Sequence, residues 1–298
     1  MTTNVPRLKT PPGACDCHMH VFDARFPLAK NARGKEPDAP VSAYRELQRR
    51  LGLERVVVVQ PPAYGKDNRC TLEAIAALGE GARGVVVVDS AASDSELERL
   101  TAAGVRGVRF RMLDTPELPW EMLPDMASRA AHIGWHVQFQ MDGRDFAERE
   151  QLLKSLPCTL VIEHIGKFLE PVPLEHPGFE SLLRLVDSGR CWVKLSGAYM
   201  TSKSGPPLYE DVGALAKELV RRAPERLVWA SNWPHPLVRE RKAPDDAVLL
   251  DLMLDWTRDE ATRNRILADN PAELYGFPAP STKLDQESTC RKPVTSAR

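Results

Sequence analysis

Short runs of β-branched residues alternate along the chain with longer segments in which apolar residues recur at helical spacing. The runs at 56–59 and 85–88 are continuously apolar, as is typical of parallel strands that are covered on both faces. This alternation predicts repeated βα units. Eight strands are predicted, at residues 14–18, 55–60, 83–89, 105–110, 135–140, 159–164, 191–196 and 227–231.

The segments between the predicted strands have the apolar spacing of amphipathic helices. Two of them carry the spacing of a capping box, Ser93 with Glu96 and Thr257 with Glu260, in which hydroxyl and carboxylate satisfy exposed backbone donors. Helices are predicted at residues 42–52, 71–80, 94–103, 121–133, 145–155, 178–188, 209–224 and 246–269.

Eight such units predict an α/β fold, a single-domain (β/α)8 TIM barrel over residues 1–280. An open doubly wound sheet is the alternative, but no glycine-rich GxGxxG loop follows the first strand. The segment 27–40 contains three prolines and is predicted to be a loop across the barrel mouth, and 203–207 a second loop. Residues 281–298 lack apolar periodicity and are predicted to be a disordered tail.

The balance of charged residues argues against nucleic acid and membrane surfaces as binding partners. With 40 basic and 41 acidic residues, the chain lacks the excess that drives binding to nucleic acid or to a membrane surface, so a small-molecule substrate is expected. No signal-like or membrane-spanning stretch is evident, and we expect a cytoplasmic protein with reduced thiols among its six cysteines. Cys15 and Cys17 flank Asp16 in a pattern that suggests zinc, yet burial in a strand is the favoured interpretation. The oligomeric state is left open.

In a (β/α)8 barrel the reacting groups lie at the C-terminal ends of the strands and in the loops that follow. His18 and His20 close the first predicted strand and, two residues apart, point the same way. His164 closes the sixth, so the imidazoles gather at one rim, where proton transfer or metal binding would use them. Other polar residues at strand ends are Gln60, Asp89, Arg109, Arg111, Gln138, Gln140, Lys194, Ser196, Asn232 and His235.

Arg109 and Arg111 end the fourth strand, where a guanidinium group is costly to bury without a partner. A carboxylated substrate would supply that partner, because arginine presents a planar fork of donors. The alternative is a structural ion pair of Arg109 with Asp89 or Glu163. The remaining histidines, His132, His136 and His176, are interpreted as structural.

Four motifs, at 16–20 (DCHMH), 161–167 (VIEHIGK), 231–235 (SNWPH) and 270–277 (NPAELYGF), together resemble the amidohydrolase superfamily. Within it the chain is similar to the lactone-processing branch, which includes 2-pyrone-4,6-dicarboxylate lactonases and D-galactarolactone isomerases. The resemblance implies that His18, His20 and His164 form a cluster that polarises a lactone carbonyl, and that Arg109 holds a substrate carboxylate. Asn232 stands where the lactonases carry a water-activating aspartate, and an amide cannot take that proton near pH 7.

The resemblance leaves the cofactor open. Members of the superfamily commonly bind one or two divalent metals, whereas this branch is thought to work without an obligatory one. We therefore expect no required cofactor, with one divalent metal such as Zn²⁺ on His18, His20 and His164 as the alternative. The remaining candidate substrate-binding residues are Arg111, Tyr64, Asn68, Gln140, Lys167, Tyr199 and His235, of which His235 is also a candidate base.

The expected function is hydrolysis of a small carboxylated lactone, of the sugar-acid or pyrone type, by histidine-assisted acyl transfer. Three alternatives remain at this point. One is a lactone isomerase, in which a substrate hydroxyl is the nucleophile and proximity lessens the need for a strong base. The others are a zinc-dependent amidohydrolase or decarboxylase, and a barrel that binds a small acid without turning it over.

Overall fold

The structure is a computed structural model, and it describes residues 4–30, 32, 36–113, 116–236 and 243–278. Its centre is one sheet of eight parallel strands that neighbour one another in chain order. The strands are Cys15–Met19 (β1), Arg55–Val59 (β2), Ala82–Val86 (β3), Val105–Arg111 (β4), His136–Gln140 (β5), Thr159–Ile162 (β6), Cys191–Leu195 (β7) and Leu227–Trp229 (β8).

A helix lies between each strand and the next along the chain, and an eighth follows the last strand. This arrangement confirms the predicted single-domain (β/α)8 barrel. The helices are Val41–Leu51 (α1), Arg69–Leu78 (α2), Asp94–Ala102 (α3), Leu123–His132 (α4), Phe146–Ser155 (α5), Pro177–Asp187 (α6), Glu210–Arg222 (α7) and Asp246–Trp256 (α8).

The prediction of one continuous helix over 246–269 is wrong at 257–259, where the structure interrupts it. Helix α8 ends at Trp256 because Thr257 is extended (φ −114°, ψ 146°). The Thr257 hydroxyl donates back to the Met253 carbonyl at 2.6 Å, and Asp259 caps the next helix by accepting from the Thr262 amide. Two short helices separated by a π-helical turn follow, Glu260–Asn264 (α9), Arg265–Asp269 (the turn) and Asn270–Tyr275 (α10). The other predicted cap is confirmed, since Ser93 accepts from the Glu96 amide at 3.2 Å.

The barrel closes between β1 and the residues that follow β8. The backbone N–H of Asn232 donates to the His18 carbonyl, and the backbone N–H of His20 donates to the Trp233 carbonyl, both at 2.8 Å. Buried Asp16 strengthens this seam by accepting from the amide and the hydroxyl of Ser231 at 2.9 and 2.5 Å. Closure therefore sets Asn232 directly beside the histidine pair.

A break in alternation directs the histidine pair into the barrel. Cys15 and Cys17 belong to the apolar cluster inside the barrel, whereas Met19 packs in the core between strands and helices. His18 and His20 nevertheless face inward, and the pairing of β1 with β2 shifts register between Asp16 and Met19. Such irregularities re-aim side chains near active sites. The interior packing of Cys15 and Cys17 agrees with the favoured interpretation that they are core residues.

The loops at the barrel mouth match their predicted positions where the structure describes them. Phe22 and Ala39 form an antiparallel bridge at the ends of the first long loop, and the Ala29 amide donates to the Ala63 carbonyl in the loop after β2. Residues 203–207 form a loop before α7. Residues 31 and 33–35 of the first loop and the predicted tail at 281–298 lie outside the described residues. Among the helices that the structure describes, none is long and apolar enough to cross a membrane.

Candidate active site

Three buried imidazoles meet at the C-terminal end of the barrel. The Nε2 atoms of His18 and His20 are 3.2 Å apart, and the His18 and His164 rings have centroids 5.0 Å apart. His18 is completely buried, and the other two expose 5% or less of their surface. The structure thus brings together the three histidines that the sequence singled out.

All three histidines are held in the neutral form. Burial lowers the pKa of His20 to about 3 and holds those of His18 and His164 well below the ordinary value. The positive charges of Lys194 and Arg109 act in the same direction, and Glu163 opposes them at His164 without reversing the shift. Neutral imidazoles near pH 7 carry one donor and one acceptor nitrogen each.

The hydrogen bonds then fix which nitrogen carries the proton. The Val59 carbonyl lies 2.8 Å from Nδ1 of His20 and can only accept, so His20 is protonated there and its Nε2 accepts from Nε2–H of His18. This leaves Nδ1 of His18 as the acceptor toward the Gln138 amide at 3.4 Å. The Gln138 amide is itself oriented by Lys194, whose Nζ donates to Gln138 Oε1 at 2.5 Å.

Lys194 lies in the barrel interior below the histidines and is completely buried. Its Nζ also donates to the Cys17 carbonyl at 2.6 Å. Burial lowers the pKa of Lys194 to about 8, and the Glu163 carboxylate opposes this effect. The lysine is therefore mostly charged near pH 7 and fixes the hydrogen-bonding direction of the network above it.

Arg109 pairs with Glu163, which is the structural alternative considered from sequence. Its Nε and Nη2 donate to the two carboxylate oxygens at 2.7 and 2.8 Å, and Nη1 donates to the Gln60 carbonyl at 2.9 Å. Burial alone would raise the pKa of Glu163, but the Arg109 charge and hydrogen bonds outweigh it and hold that pKa well below the ordinary value. Three of the five donors of Arg109 are thus engaged within the protein, and its role as a substrate anchor stays a prediction.

Glu163 also orients His164. Nε2 of His164 is 3.4 Å from Glu163 Oε2, and Nδ1 is 2.8 Å from the Ser196 hydroxyl. A carboxylate accepts, so the proton of His164 lies on Nε2 and Ser196 donates to Nδ1. His164 has a left-handed backbone (φ 55°), an uncommon conformation outside glycine that concentrates at functional sites.

Asn232 and His235 share a hydrogen-bonded group with Tyr199 on the other side of the mouth. The side-chain amide of Asn232 donates to the Tyr199 hydroxyl oxygen at 2.8 Å, and Nδ1 of His235 is 2.9 Å from the same oxygen. Nε2 of His235 is 3.1 Å from Asp246 Oδ1, at the start of α8. Asn232 and His235 both have positive φ, 60° and 64°, so the loop after β8 is tightly folded.

The other predicted substrate-binding residues are engaged within the protein to different degrees. Tyr64 bonds both backbone groups of Asp23, and Asn68 bonds the backbone of Val87 from both ends of its amide, so the two fix loops. Nη2 of Arg111 lies 3.5 Å from Glu117, and Nζ of Lys167 is 3.3 Å from Met200 Sδ. The Gln140 side chain is buried at the end of β5. Substrate contact by each of them stays a prediction.

The structural interpretation of the other histidines agrees with their positions. His132 ends α4, His136 begins β5 at the opposite end of the barrel, and His176 caps α6 by accepting from the Gly178 amide at 3.1 Å.

The histidine cluster also contains side chains that could act as ligands of a divalent metal ion. His18, Glu163 and His164 place possible ligand atoms within 4.8 Å of one another, a set in which Glu163 replaces the predicted His20. Both oxygens of Glu163 already bind Arg109, and Lys194 adds a second buried cation. A further double positive charge would lie beside these cations with no other carboxylate in the set. The residues present therefore do not fit a divalent cation.

A cavity of about 280 Å³ lies at the opposite end of the barrel, near the N-terminal ends of β5, β6 and β7. Its lining includes Trp135, Cys158 and Trp192. Residues at this end of (β/α)8 barrels serve stability, whereas chemistry occurs at the other end. The candidate site is accordingly the histidine rim.

Two members of the site were not proposed from sequence as functional residues. Glu163 was considered only as an ion-pair partner, although an acid directly before a strand-end histidine is a usable signal. In the sequence, Asp246 has the position of an ordinary acidic residue at the start of a helix, and no local pattern connects it to His235.

The chain was compared with known proteins. Residues 15–277 match the amidohydrolase family. The chain is 36% identical over 278 residues to D-galactarolactone isomerase of Agrobacterium fabrum, covering 92% of this chain and 95% of the relative. It is 34% identical over 284 residues to 2-pyrone-4,6-dicarboxylate hydrolase of Comamonas testosteroni, covering 91% and 92%.

A crystal structure of an Agrobacterium tumefaciens protein without ligand superimposes with a TM-score of 0.86 at 35% identity. The match covers 92% of this chain and 99% of that structure. The sequence match spans nearly the entire described barrel, including all eight strands and the histidine rim. The chain therefore belongs to the amidohydrolase family.

Proposed function

We propose that this protein catalyses acyl transfer on a small carboxylated lactone, opening the ring with water. The observation that carries the proposal is the cluster of three buried, neutral imidazoles with fixed tautomers at the C-terminal rim. The relatives' names support the substrate class, since one is a lactone isomerase and another a pyrone-dicarboxylate hydrolase.

In the proposed reaction, the lactone carbonyl enters the cluster and takes the place of His20 Nε2 and Glu163 Oε2 as the acceptor of the Nε2–H groups of His18 and His164. These donors stabilise the negative charge that develops on the carbonyl oxygen as the nucleophile adds. Gln138 and the Ser196 hydroxyl hold Nδ1 of the two rings, so this exchange of acceptors leaves both rings in place. Asn232 orients the attacking oxygen, and a substrate carboxylate lies toward the cations of the mouth, Arg111 and Lys167.

No metal is required in this proposal, because the cationic surroundings of Glu163 disfavour one. The alternative of a zinc enzyme is tested separately. Metal content is measured on the purified protein, and turnover is measured before and after exhaustive chelation. Turnover that survives chelation at substoichiometric metal supports the proposal, and loss of turnover that zinc restores contradicts it.

Isomerisation is the second candidate, and Asn232 is the observation that favours it. An amide cannot take a proton from water, whereas a substrate hydroxyl held near the carbonyl has the advantage of proximity. Both reactions pass through a tetrahedral intermediate, and the two intermediates differ in whether the attacking oxygen comes from water or from the substrate.

A screen of sugar-acid and pyrone lactones tests the proposal. Acid release is followed with a pH indicator, isomeric products by NMR, and oxygen incorporation with H₂¹⁸O. Label in the product indicates hydrolysis, and an unlabelled isomer indicates isomerisation. His164→Ala is expected to lower turnover about a hundredfold. Unchanged turnover in that variant, or binding of every lactone without conversion, would refute acyl transfer at this cluster.

A further inference from the structure

A chain of hydrogen bonds connects the first residue of α8 to the mouth of the barrel. It runs from Asp246 Oδ1 to Nε2 of His235 at 3.1 Å, and from Nδ1 of His235 to the Tyr199 hydroxyl at 2.9 Å. The Tyr199 oxygen also accepts from the Asn232 amide at 2.8 Å. We propose that Asp246, His235 and Tyr199 form a proton relay that supplies the base Asn232 cannot provide; this inference rests on the proposed function.

The direction of each hydrogen bond follows from the chemistry of the groups. A carboxylate accepts, so we assign the proton of His235 to Nε2, toward Asp246. Nδ1 is then an acceptor and receives the Tyr199 O–H. The tyrosine oxygen is left to accept from Asn232, so every donor in the chain meets one acceptor. The His235 and Tyr199 rings are nearly perpendicular, with centroids 5.1 Å apart.

Positive charge surrounds the carboxylate of Asp246. Arg50 Nη2 lies 3.9 Å from Asp246 Oδ2, and Nη1 of the same arginine is 3.3 Å from Asp245. Asp246 is also the first residue of α8, where the helix dipole stabilises negative charge. Asp246, His235 and Asn232 each expose no more than 6% of their surface, so competition from water is limited.

The relay ends beside the histidine rim. Met200 Sδ lies 3.7 Å from the Asn232 amide nitrogen and 3.3 Å from Nζ of Lys167. A side chain added at Gly197 would meet both Met200 Sδ and Nδ1 of His164 at 3.0 Å. Met200 therefore lies between the Tyr199 group and His164, and the proposal places the lactone over the rim between these two groups.

The proposed step balances as follows. The attacking O–H, of water or of the substrate, forms a bond from its oxygen to the lactone carbonyl carbon, and the carbonyl π electrons move to the oxygen held by the histidines. Its proton passes to the Tyr199 oxygen while the Tyr199 proton passes to Nδ1 of His235. The imidazolium is stabilised by Asp246. When the intermediate collapses, the ring C–O bond breaks, and its electron pair takes a proton back through Tyr199.

Tyr199 is then a catalytic residue, whereas His235 and Asp246 act through it. Tyr199→Phe is expected to lower kcat about a hundredfold with KM changed less than about threefold, as for a lost general base. His235→Asn is expected to lower kcat similarly, and the double variant no further, because the two residues act as one unit. Tyr275→Phe is the matched control, since its buried phenol oxygen hydrogen-bonds to none of the residues that the structure describes.

A rescue experiment separates a chemical role from a structural one. Asn232→Asp introduces a carboxylate at the mouth, so adding it to Tyr199→Phe is expected to restore kcat at least tenfold. Three results would overturn the relay. The kcat of Tyr199→Phe could lie within twofold of the wild-type value, the losses of kcat in Tyr199→Phe and His235→Asn could add in the double variant, or Tyr275→Phe could lose as much kcat as Tyr199→Phe. If the wild-type protein converts a lactone and Tyr199→Phe does so equally well, the relay alone is refuted. If the wild-type protein converts none of the lactones, the proposed function is refuted and the relay with it.

Discussion

Replacing Arg109 by methionine tests whether this arginine is primarily the partner of Glu163. The substitution removes both hydrogen bonds to a carboxylate that is completely buried, and leaves that charge without its main counter-ion. Breaking a buried pair in this way costs about 3 to 5 kcal/mol. Arg109→Met should therefore lower the free energy of unfolding by that amount at pH 8, measured by urea unfolding with tryptophan fluorescence.

The loss should depend on pH. In the wild type the pKa of Glu163 is depressed below its unfolded value of about 4.3, so its stabilisation is present above that pH and lost as pH falls through the depressed pKa. In Arg109→Met, burial dominates and raises the folded pKa, so the variant loses stability as pH rises from the unfolded pKa to the raised folded pKa. The difference between the two proteins should be larger at pH 8 than at pH 5.5.

Two controls accompany this measurement. Arg184→Met breaks a half-exposed pair with Glu150 and should cost no more than about 1 kcal/mol. Adding Glu163→Gln to Arg109→Met removes the stranded charge and should recover part of the stability. A cost for Arg109→Met no greater than that of Arg184→Met, or further loss in the double variant, would refute the assignment of Arg109 to the Glu163 pair.

Three further predictions concern other parts of the barrel. The folded pKa of His20 is about 3 against about 6.5 unfolded, so the wild type should lose about 1.4 kcal/mol per pH unit relative to His20→Asn as pH falls below 6.5, measured by urea unfolding. Gly107→Ala should lower the free energy of unfolding by about 1 to 3 kcal/mol, because the new Cβ would lie 2.5 Å from Nε2 of His136; an unchanged urea midpoint would contradict this. Asn232→Asp alone should raise the ratio of hydrolysed to isomerised lactone, read from ¹⁸O incorporation, and a constant ratio would exclude a role for this position in choosing the nucleophile.

The sequence by itself determined the barrel and the rim that carries the chemistry. Continuous apolar strands alternating with amphipathic helices are local patterns, and so are the histidines at strand ends. One local signal was misassigned although the contacts that decide it lie within four residues. Thr257 has the spacing of a helix cap, yet its hydroxyl bonds Met253, and Asp259 caps the next helix.

Only the tertiary structure decided what the polar residues do at that rim. Arg109 and Glu163 are 54 residues apart, and the sequence offered their ion pair only as one of several alternatives for Arg109. Lys194 reaches the Cys17 carbonyl across 177 residues, a pairing that has no sequence signature. Asp246 acquires its partner only because α8 begins beside the loop after β8. Hydrogen bonds and ion pairs depend on differences of a few tenths of an ångström in the distance between their atoms. A periodic pattern determines which face of an element is buried, but the closed barrel determines which atoms meet there.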